Sequence, residues 1–322
     1  MRIVPFDDLT DRQHADRALL SLAAFGVAVP RTLVEKRRRV FPEPEYVSLH
    51  AVDRDRVVGQ LSVVRFPYAF REGIETVAGL AALSTHPGRA RTGIARSLLA
   101  EAHAREEGAG IRHVTLWTNA SWGAYRLYQE LGYRDVYSSP WAVRPPRPAG
   151  DRPARARGAI SVRPGRPRDA GFLEELHQRF VRDRLGFRRA PGRLRLQIRL
   201  GELSPPRDLL VAVRDRKPVG YAHLSRTPFR TICDEVVAES PAVRRALVDA
   251  VARVAEDGVV AFQHSVVADH PELFPTREWA RSPVNWWRFL ARDRGRPWRP
   301  ADAVRRFATT DPAFLCQGGD RF

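Results

Sequence analysis

Residues 80–108 constrain the fold of this chain more than any other stretch. An apolar run ends at Thr85, Pro87 and Gly88 break it, and a helical pattern follows: Ile94, Leu98 and Ala102, doubled by Ala95 and Leu99, share one face, and Gly108 with Gly110 supplies the stop. The pattern reads as a strand, a tight basic loop and a helix whose apolar stripe can lie on a sheet. A loop feeding a helix N-terminus offers backbone N–H groups with no partner inside the helix, and the helix dipole adds partial positive charge there. Such a place binds phosphate. Gly93 has no side chain to block an approaching anion, and Arg89, Arg91 and Arg96 bring cations nearby.

The next segment, 112–136, reads as strand (113–118), turn, helix (122–131) and strand, and carries Asn119, Ala124, Leu127, Tyr128, Gly132 and Tyr133. With the glycine loop, it resembles the GNAT superfamily of acetyltransferases. The loop fingerprint of that family, Q/R-x-x-G-x-G/A, falls on Ala90, Arg91, Thr92, Gly93, Ile94 and Ala95, and the second motif, N-x(4)-A-x-x-L-Y-x-x-x-G-[FY], starts at Asn119. One position departs: Ala90 stands where the family has Gln or Arg, so Arg89 or Arg91 would have to take over its anchoring role.

The resemblance implies an α/β fold of the α+β mixed-sheet kind and acetyl-CoA as cosubstrate. It implies a pantetheine arm antiparallel to the strand ending Leu83-Ser84-Thr85, with a backbone N–H near Leu83 on the thioester carbonyl. The pyrophosphate would lie on the loop from Arg89 and Arg91 through Thr92, Gly93, Ile94 and Ala95. Asn119 would contact the pantetheine region, and it could equally be a turn or helix-cap residue. Tyr128 matches the family tyrosine that protonates the leaving thiolate; packing with Ala124, Leu127 and Leu131 is the alternative. Glu75, near the start of the preceding strand, is the most plausible general base, and His86 reads as facing solvent or neighbouring backbone.

Composition bounds the rest. At 322 residues the chain is long enough for two domains, and its 43% apolar share suits a globular protein. The longest apolar stretch, 19–29, is about half of the roughly 20 residues a membrane crossing needs, and the start lacks a signal-peptide pattern, so a cytoplasmic protein without a membrane partner is expected. Cys233 and Cys316 are too few and too far apart for a disulfide framework or a zinc site, and no metal is expected. The 54 basic against 37 acidic residues give +17, nearly all from arginine, since Lys36 and Lys217 are the only lysines. Such charge attracts anions at long range, which keeps nucleic acid open as a partner beside acetyl-CoA and an unidentified amine acceptor.

Along the chain, a first strand (1–6) precedes a helix at 10–24, with Thr10 as N-cap and Ala15, Leu19, Leu22 and Ala23 on one face. A second helix (31–40), a hairpin (47–53 and 57–66) and a strand (75–85) follow. Residues 146–158 read as a Pro/Arg-rich linker. The pattern then restarts with a strand at 160–164, a helix at 169–182 and a hairpin within 208–224. Ala51-Val52 and Val58-Gly59 recur as Ala212-Val213 and Val219-Gly220, both displaced by the same 161 residues, which points to internal duplication. In the second copy strand 232–238 meets its helix without a glycine loop; Ser240 as cap and Pro241 at the first helical position start it.

The chain thus resembles tandem GNAT proteins of the Eis-like group, without their C-terminal sterol-carrier-like domain. The expected division is a catalytic acetyl-CoA-binding domain at 1–145, the linker at 146–158, a degenerate GNAT-like domain at 159–270 and a Trp/Arg-rich extension at 271–322. Each domain would have a central, mostly antiparallel sheet flanked by helices, in a monomer or homodimer. Trp279, Trp286, Trp287 and Trp298 read as packing the extension back onto the domains, with base stacking as the alternative. The expected activity is N-acetyl transfer to a primary amine by direct attack in a ternary complex; a basic adaptor on RNA, ribosome or protein is the rival.

Overall fold

The computed structural model describes residues 1–26, 28–40, 46–145, 160–227, 230–254, 258–284, 286–295, 297–309 and 314–315. The proposed linker, Cys316 and Phe322 lie outside these. The first half runs β1 (Arg2–Pro5), α1 (Asp11–Phe25), α2 (Arg31–Val40), β2 (Tyr46–Asp53), β3 (Arg56–Phe70), β4 (Gly73–Thr85), α3 (Ile94–Gly108), β5 (His113–Asn119), α4 (Gly123–Glu130), β6 (Arg134–Ser138) and β7 (Trp141–Arg144). The second half runs β8 (Ile160–Pro164), α5 (Ala170–Val181), β9 (Leu185–Phe187), α6 (Arg193–Arg199), α7 (Pro205–Asp208), β10 (Leu209–Arg214), β11 (Lys217–Thr227), β12 (Arg230–Ala238), α8 (Pro241–Val254), β13 (Val259–Gln263) and α9 (Ser265–Asp269). It closes with β14 (Ala280–Ser282), β15 (Trp287–Asp293), α10 (Pro300–Phe307) and β16 (Phe314–Leu315).

Two mixed sheets, each flanked by helices, form the body. The first has the order β1-β2-β3-β4-β5-β15-β6, with β9 on β3; the second has the order β14-β7-β13-β12-β11-β10-β8. Both are antiparallel except where β4 meets β5, β12 meets β13 and β16 meets β9.

The duplication seen as a 161-residue offset is physical. Hairpin β2–β3 turns through Arg54 and Asp55 and hairpin β10–β11 through Asp215 and Arg216, all four at positive φ, the backbone of a two-residue turn whose twist suits its strands. Ala51 pairs with Gly59 and Ala212 with Gly220, and each register slips at the next residue. Each glycine lies under a helix: a Cβ on Gly59 would stand 2.5 Å from Ile94 Cγ2, and one on Gly220 would stand 2.6 Å from Val243 Cγ1. Glycine is needed in both places because α3 and α8 press directly on the strand backbone.

The copies are interlocked by exchanged strands, which corrects the linear division expected from the sequence. β7 falls within the proposed first domain yet pairs with β13 of the second sheet. β15, from the proposed extension, fills the gap between β5 and β6 of the first sheet. β9 of the second copy adds to β3. The tryptophans follow this weave: Trp279 is buried in the second core and Trp298 in the first, whereas Trp286 stays exposed.

Helix α1 reverses the expectation for its buried face. Thr10 caps it, accepting from Gln13 N, but Leu19 is 61% and Leu22 46% exposed, while Gln13, His14, Arg17 and Ser21 are buried. Beneath it, β2 and β3 present Tyr46, Ser48, His50, Gln60 and Ser62, all buried, so polar groups meet polar groups. Gln60 Nε2 donates to Ser21 Oγ (2.8 Å) across this contact.

Candidate active site

The first sheet opens where the glycine loop begins. β4 and β5 pair only over Ala78–Leu80 and Val114–Leu116, although β4 continues to Thr85 and β5 to Asn119. Beyond that point they part and leave a wedge. On its other edge β4 carries a bulge: Gln60 pairs with Ser84 and Ser62 with Ala81, so Ala82 and Leu83 together face Leu61. Ala82 holds φ 55, a left-handed conformation that costs a residue with a Cβ of the order of 1 kcal/mol. A bulge takes residues out of the ladder, here at the position where the sequence places the N–H of Leu83.

A cleft of about 470 Å³ occupies the wedge, within the range of small-ligand sites. Leu83, Ser84 and Thr85 line one wall, Gly123, Ala124 and Leu127 of α4 the other, and Arg89, Ala90, Arg91, Gly93, Ile94, Ala95 and Arg96 its mouth. Gly93, at φ 85, is the N-cap of α3 and makes no side-chain cap. The first helical bond runs from Ser97 N to Gly93 O (2.9 Å), which leaves the N–H groups of Ile94, Ala95 and Arg96 without an intrahelical partner. A Cβ on Gly93 would meet nothing within 4 Å, so the glycine serves backbone conformation and an open mouth, not packing.

The arginines divide. Arg89 is held by Asp53 (2.6 Å) and Arg96 by Glu130 (2.8 Å). Arg91, at φ 62, lines the mouth and has no ion pair among the described residues. Thr92 ties the loop down by donating its hydroxyl to Arg89 O (2.7 Å). His86 accepts from Gly88 N through Nδ1 (3.1 Å), a turn role. Ser84, singled out only as part of its strand, is a missed member of the cleft lining: its hydroxyl is buried and unpaired among the described residues.

Other expected residues fall differently. Asn119 Oδ1 accepts from Ser121 N (2.9 Å) and Ser121 Oγ (2.7 Å), the turn role, leaving its amide NH₂ for a ligand. Tyr128 projects from α4 into the core and sets its ring edge-on to Tyr133 (5.7 Å); burial raises its phenol pKa. Glu75 is not brought to the wedge. It sits at the opposite end of β4, where Arg306 of α10 pairs with it and His113 Nε2 lies 3.8 Å away. Ten residues of extended strand, roughly 33 Å, separate it from Thr85, and the structure gives it an ion pair that fastens α10.

The second sheet has its own wedge where β12 parts from β13 after Cys233 and Phe262. Side chains fill it: Phe180, Arg184, Arg244 and Asp269 leave only about 10 Å³. Its helix start is sealed too, with Val243 N bonded to Ser240 Oγ (3.4 Å). Among the described residues no group of three or more His, Cys, Asp or Glu side chains could hold a metal ion, and no helix is long and apolar enough to cross a membrane.

The family model for the acetyltransferase (GNAT) domain matches residues 6–136, the stretch that holds the bulge, the glycine loop and the wedge. Residues 6–136 are a GNAT acetyltransferase domain. The tandem GNAT arrangement has counterparts among solved structures. A probable N-acyltransferase from Enterococcus faecalis V583 matches with TM-score 0.68 at 14% identity, over 91% of this chain and 72% of that one. Eis1 from Mycobacterium abscessus matches with TM-score 0.58 at 18% identity, over 91% and 74%. A tandem GNAT protein from the clavulanic acid biosynthesis pathway matches with TM-score 0.59 at 18% identity, over 92% of this chain and 99% of that one. At these identities the likeness is one of fold. No curated protein matches the chain significantly by sequence.

Proposed function

We propose that the protein is an acetyl-CoA-dependent N-acetyltransferase whose wedge between β4 and β5 holds the donor and whose opposite sheet face, under α1 and α2, admits a primary amine. The observation that carries this reading is the joint presence of the wedge, the bulge at Ala82 and Leu83, and an uncapped α3 N-terminus behind Gly93. Acetyl-CoA supplies an activated acetyl thioester. The unpartnered N–H groups of Ile94, Ala95 and Arg96, with Arg91, would hold its pyrophosphate; Ser84 and the Asn119 amide would bond the pantetheine arm, and Leu83 N–H would polarise the carbonyl.

The amine nitrogen attacks the carbonyl carbon, the carbon–sulfur bond breaks, and the proton lost by the nitrogen ends on the departing sulfur, giving the amide and free CoA thiol. Tyr128 is placed in this reading as hydrogen-bond donor to the departing sulfur. Because burial raises its pKa, its phenol stays neutral at working pH and acts as a donor more than as an acid that ionises. Direct attack is favoured over an acetyl-enzyme: Cys233 is fully buried in the second core, and burial pushes its thiol pKa well up. In this reading the second GNAT copy, its wedge filled, shapes the acceptor side. The cytoplasm, which supplies acetyl-CoA, is the compartment this activity requires.

Thiol release from acetyl-CoA across a panel of amines, peptides and RNA tests the proposal. Amine-dependent release supports it. Calorimetric titration showing no heat with acetyl-CoA would favour the basic adaptor instead.

A further inference from the structure

Arg17 is a buried charge without a counter-ion. Its residue is 3% exposed. One guanidinium nitrogen donates to Val29 O (2.6 Å), the group lies 5.5 Å from the centroid of the Phe6 ring, and Nε has no partner among the described residues. No carboxylate among the described residues pairs with it. Burial lowers its pKa, and the group opposing that shift is the Tyr46 phenol. An arginine nevertheless keeps its charge in a protein, and no carboxylate among the described residues offsets the cost of burying it here.

The surroundings are polar and uncharged. His14 and His50 beside it are both held neutral, His14 by burial and nearby arginines, His50 by burial with its pKa lowered to about 3. His14 Nδ1 is buried and unpaired among the described residues. Ser48 Oγ meets His50 Nε2 (3.3 Å), and the Tyr46 hydroxyl meets Ser62 Oγ (3.1 Å). This is the belt that α1 covers with its polar face, and it leads to the site: Ser62 pairs with Ala81, immediately before the bulge. β2 lies two strands from β4, about 10 Å, which a short amine can span.

We propose that the acceptor is a primary amine that also carries one carboxylate, seated on Arg17 with its amine extended to the bulge at Ala82. This deepens the acetyl-transfer reading and rests on it for the fate of the amine. A single negative charge balances the single buried cation, whereas a phosphate dianion would leave excess charge among neutral imidazoles. The inverted burial of α1 accords with this: its polar face carries Arg17 against the uncharged polar residues of β2 and β3.

The probes are 5-aminopentanoate and its neutral counterparts 5-aminopentanamide and pentylamine. In thiol release by the wild-type chain, the carboxylate is expected to exceed the neutral amines at least tenfold in kcat/KM, and that preference is expected to vanish in Arg17→Met. In thermal melts without acetyl-CoA, 5-aminopentanoate is expected to raise the Tm of wild type and of Arg17→Lys but not of Arg17→Met. Arg17→Met itself is expected to melt at or above the wild-type temperature, because it removes an uncompensated buried charge. A melt shift without thiol release would uphold the carboxylate seat and sink the acetyl-transfer reading. Equal rates for carboxylate and neutral amines, with no melt shift in wild type, would overturn the carboxylate seat and leave acetyl transfer standing.

Discussion

Gly59 lies so close under α3 that a Cβ would stand 2.5 Å from Ile94 Cγ2, and this contact sets how far the N-terminal end of the helix sits from the sheet. Gly59→Ala is therefore expected to lift α3, cost about 1–3 kcal/mol as overpacked cores do, and weaken acetyl-CoA binding. Gly220→Ala, which crowds Val243 at 2.6 Å, is expected to cost similar stability with no loss of acetyl-CoA affinity. Thermal melts and calorimetric titration of both variants check this; equal effects on affinity would mean that the contact does not position the loop.

Arg91 and Arg89 separate by their partners. Removing a cation that bonds a phosphate costs about 1.5–3 kcal/mol, so Arg91→Ala is expected to weaken acetyl-CoA binding roughly tenfold or more. Arg89 is already held by Asp53, and Arg89→Ala is expected to change the Kd less than threefold. The reverse order in a titration would reassign the anchor.

Tyr128→Phe is expected to lower kcat about 10-fold or more with the acetyl-CoA Kd unchanged, as befits a group that meets the substrate only when sulfur leaves. Its raised pKa has a stability counterpart. The contribution of the buried neutral phenol is complete below pH 10, the unfolded value, and is lost as pH rises through the higher folded value. Denaturant titrations of wild type and the Phe variant above pH 10 should therefore converge.

The buried imidazoles work in the opposite direction. His113 and His103 are pushed down to about 4 and His50 to about 3, in each case chiefly by burial. Their stability contribution is present above about pH 6.5, the unfolded value, and is lost as pH falls toward 4 and then 3. As upper limits these shifts correspond to roughly 3 kcal/mol at His113 and roughly 5 kcal/mol at His50. Denaturation midpoints measured from pH 7 to 4 should fall steadily, and His113→Gln should flatten part of that slope.

What could be read from the sequence was local. Gly93, the uncapped helix start and the Ala51/Gly59 and Ala212/Gly220 hairpins each depend on a few adjacent residues whose backbone needs are strong. What could not be read depends on distant partners. Strand β15 reaches β5 across more than 160 residues, and nothing in Trp287–Asp293 marks it for that gap rather than another. The apolar face of α1 points outward because the strands beneath it offer Tyr46, Ser48, His50, Gln60 and Ser62, and a helical period cannot tell which side its neighbour is polar on. The partner of Glu75 is Arg306, 231 residues on, a pairing that no local pattern around Glu75 carries.

The central claim is that a donor nucleotide rests on the backbone between Arg91 and Arg96, behind Gly93. Calorimetric titration of acetyl-CoA into wild type and Gly93→Val tests it most directly. One molar equivalent binding to wild type, with at least tenfold weaker binding to the variant at an unchanged Tm, is expected because valine is disfavoured at φ 85. Equal affinity in both proteins, or no heat in either, would contradict it.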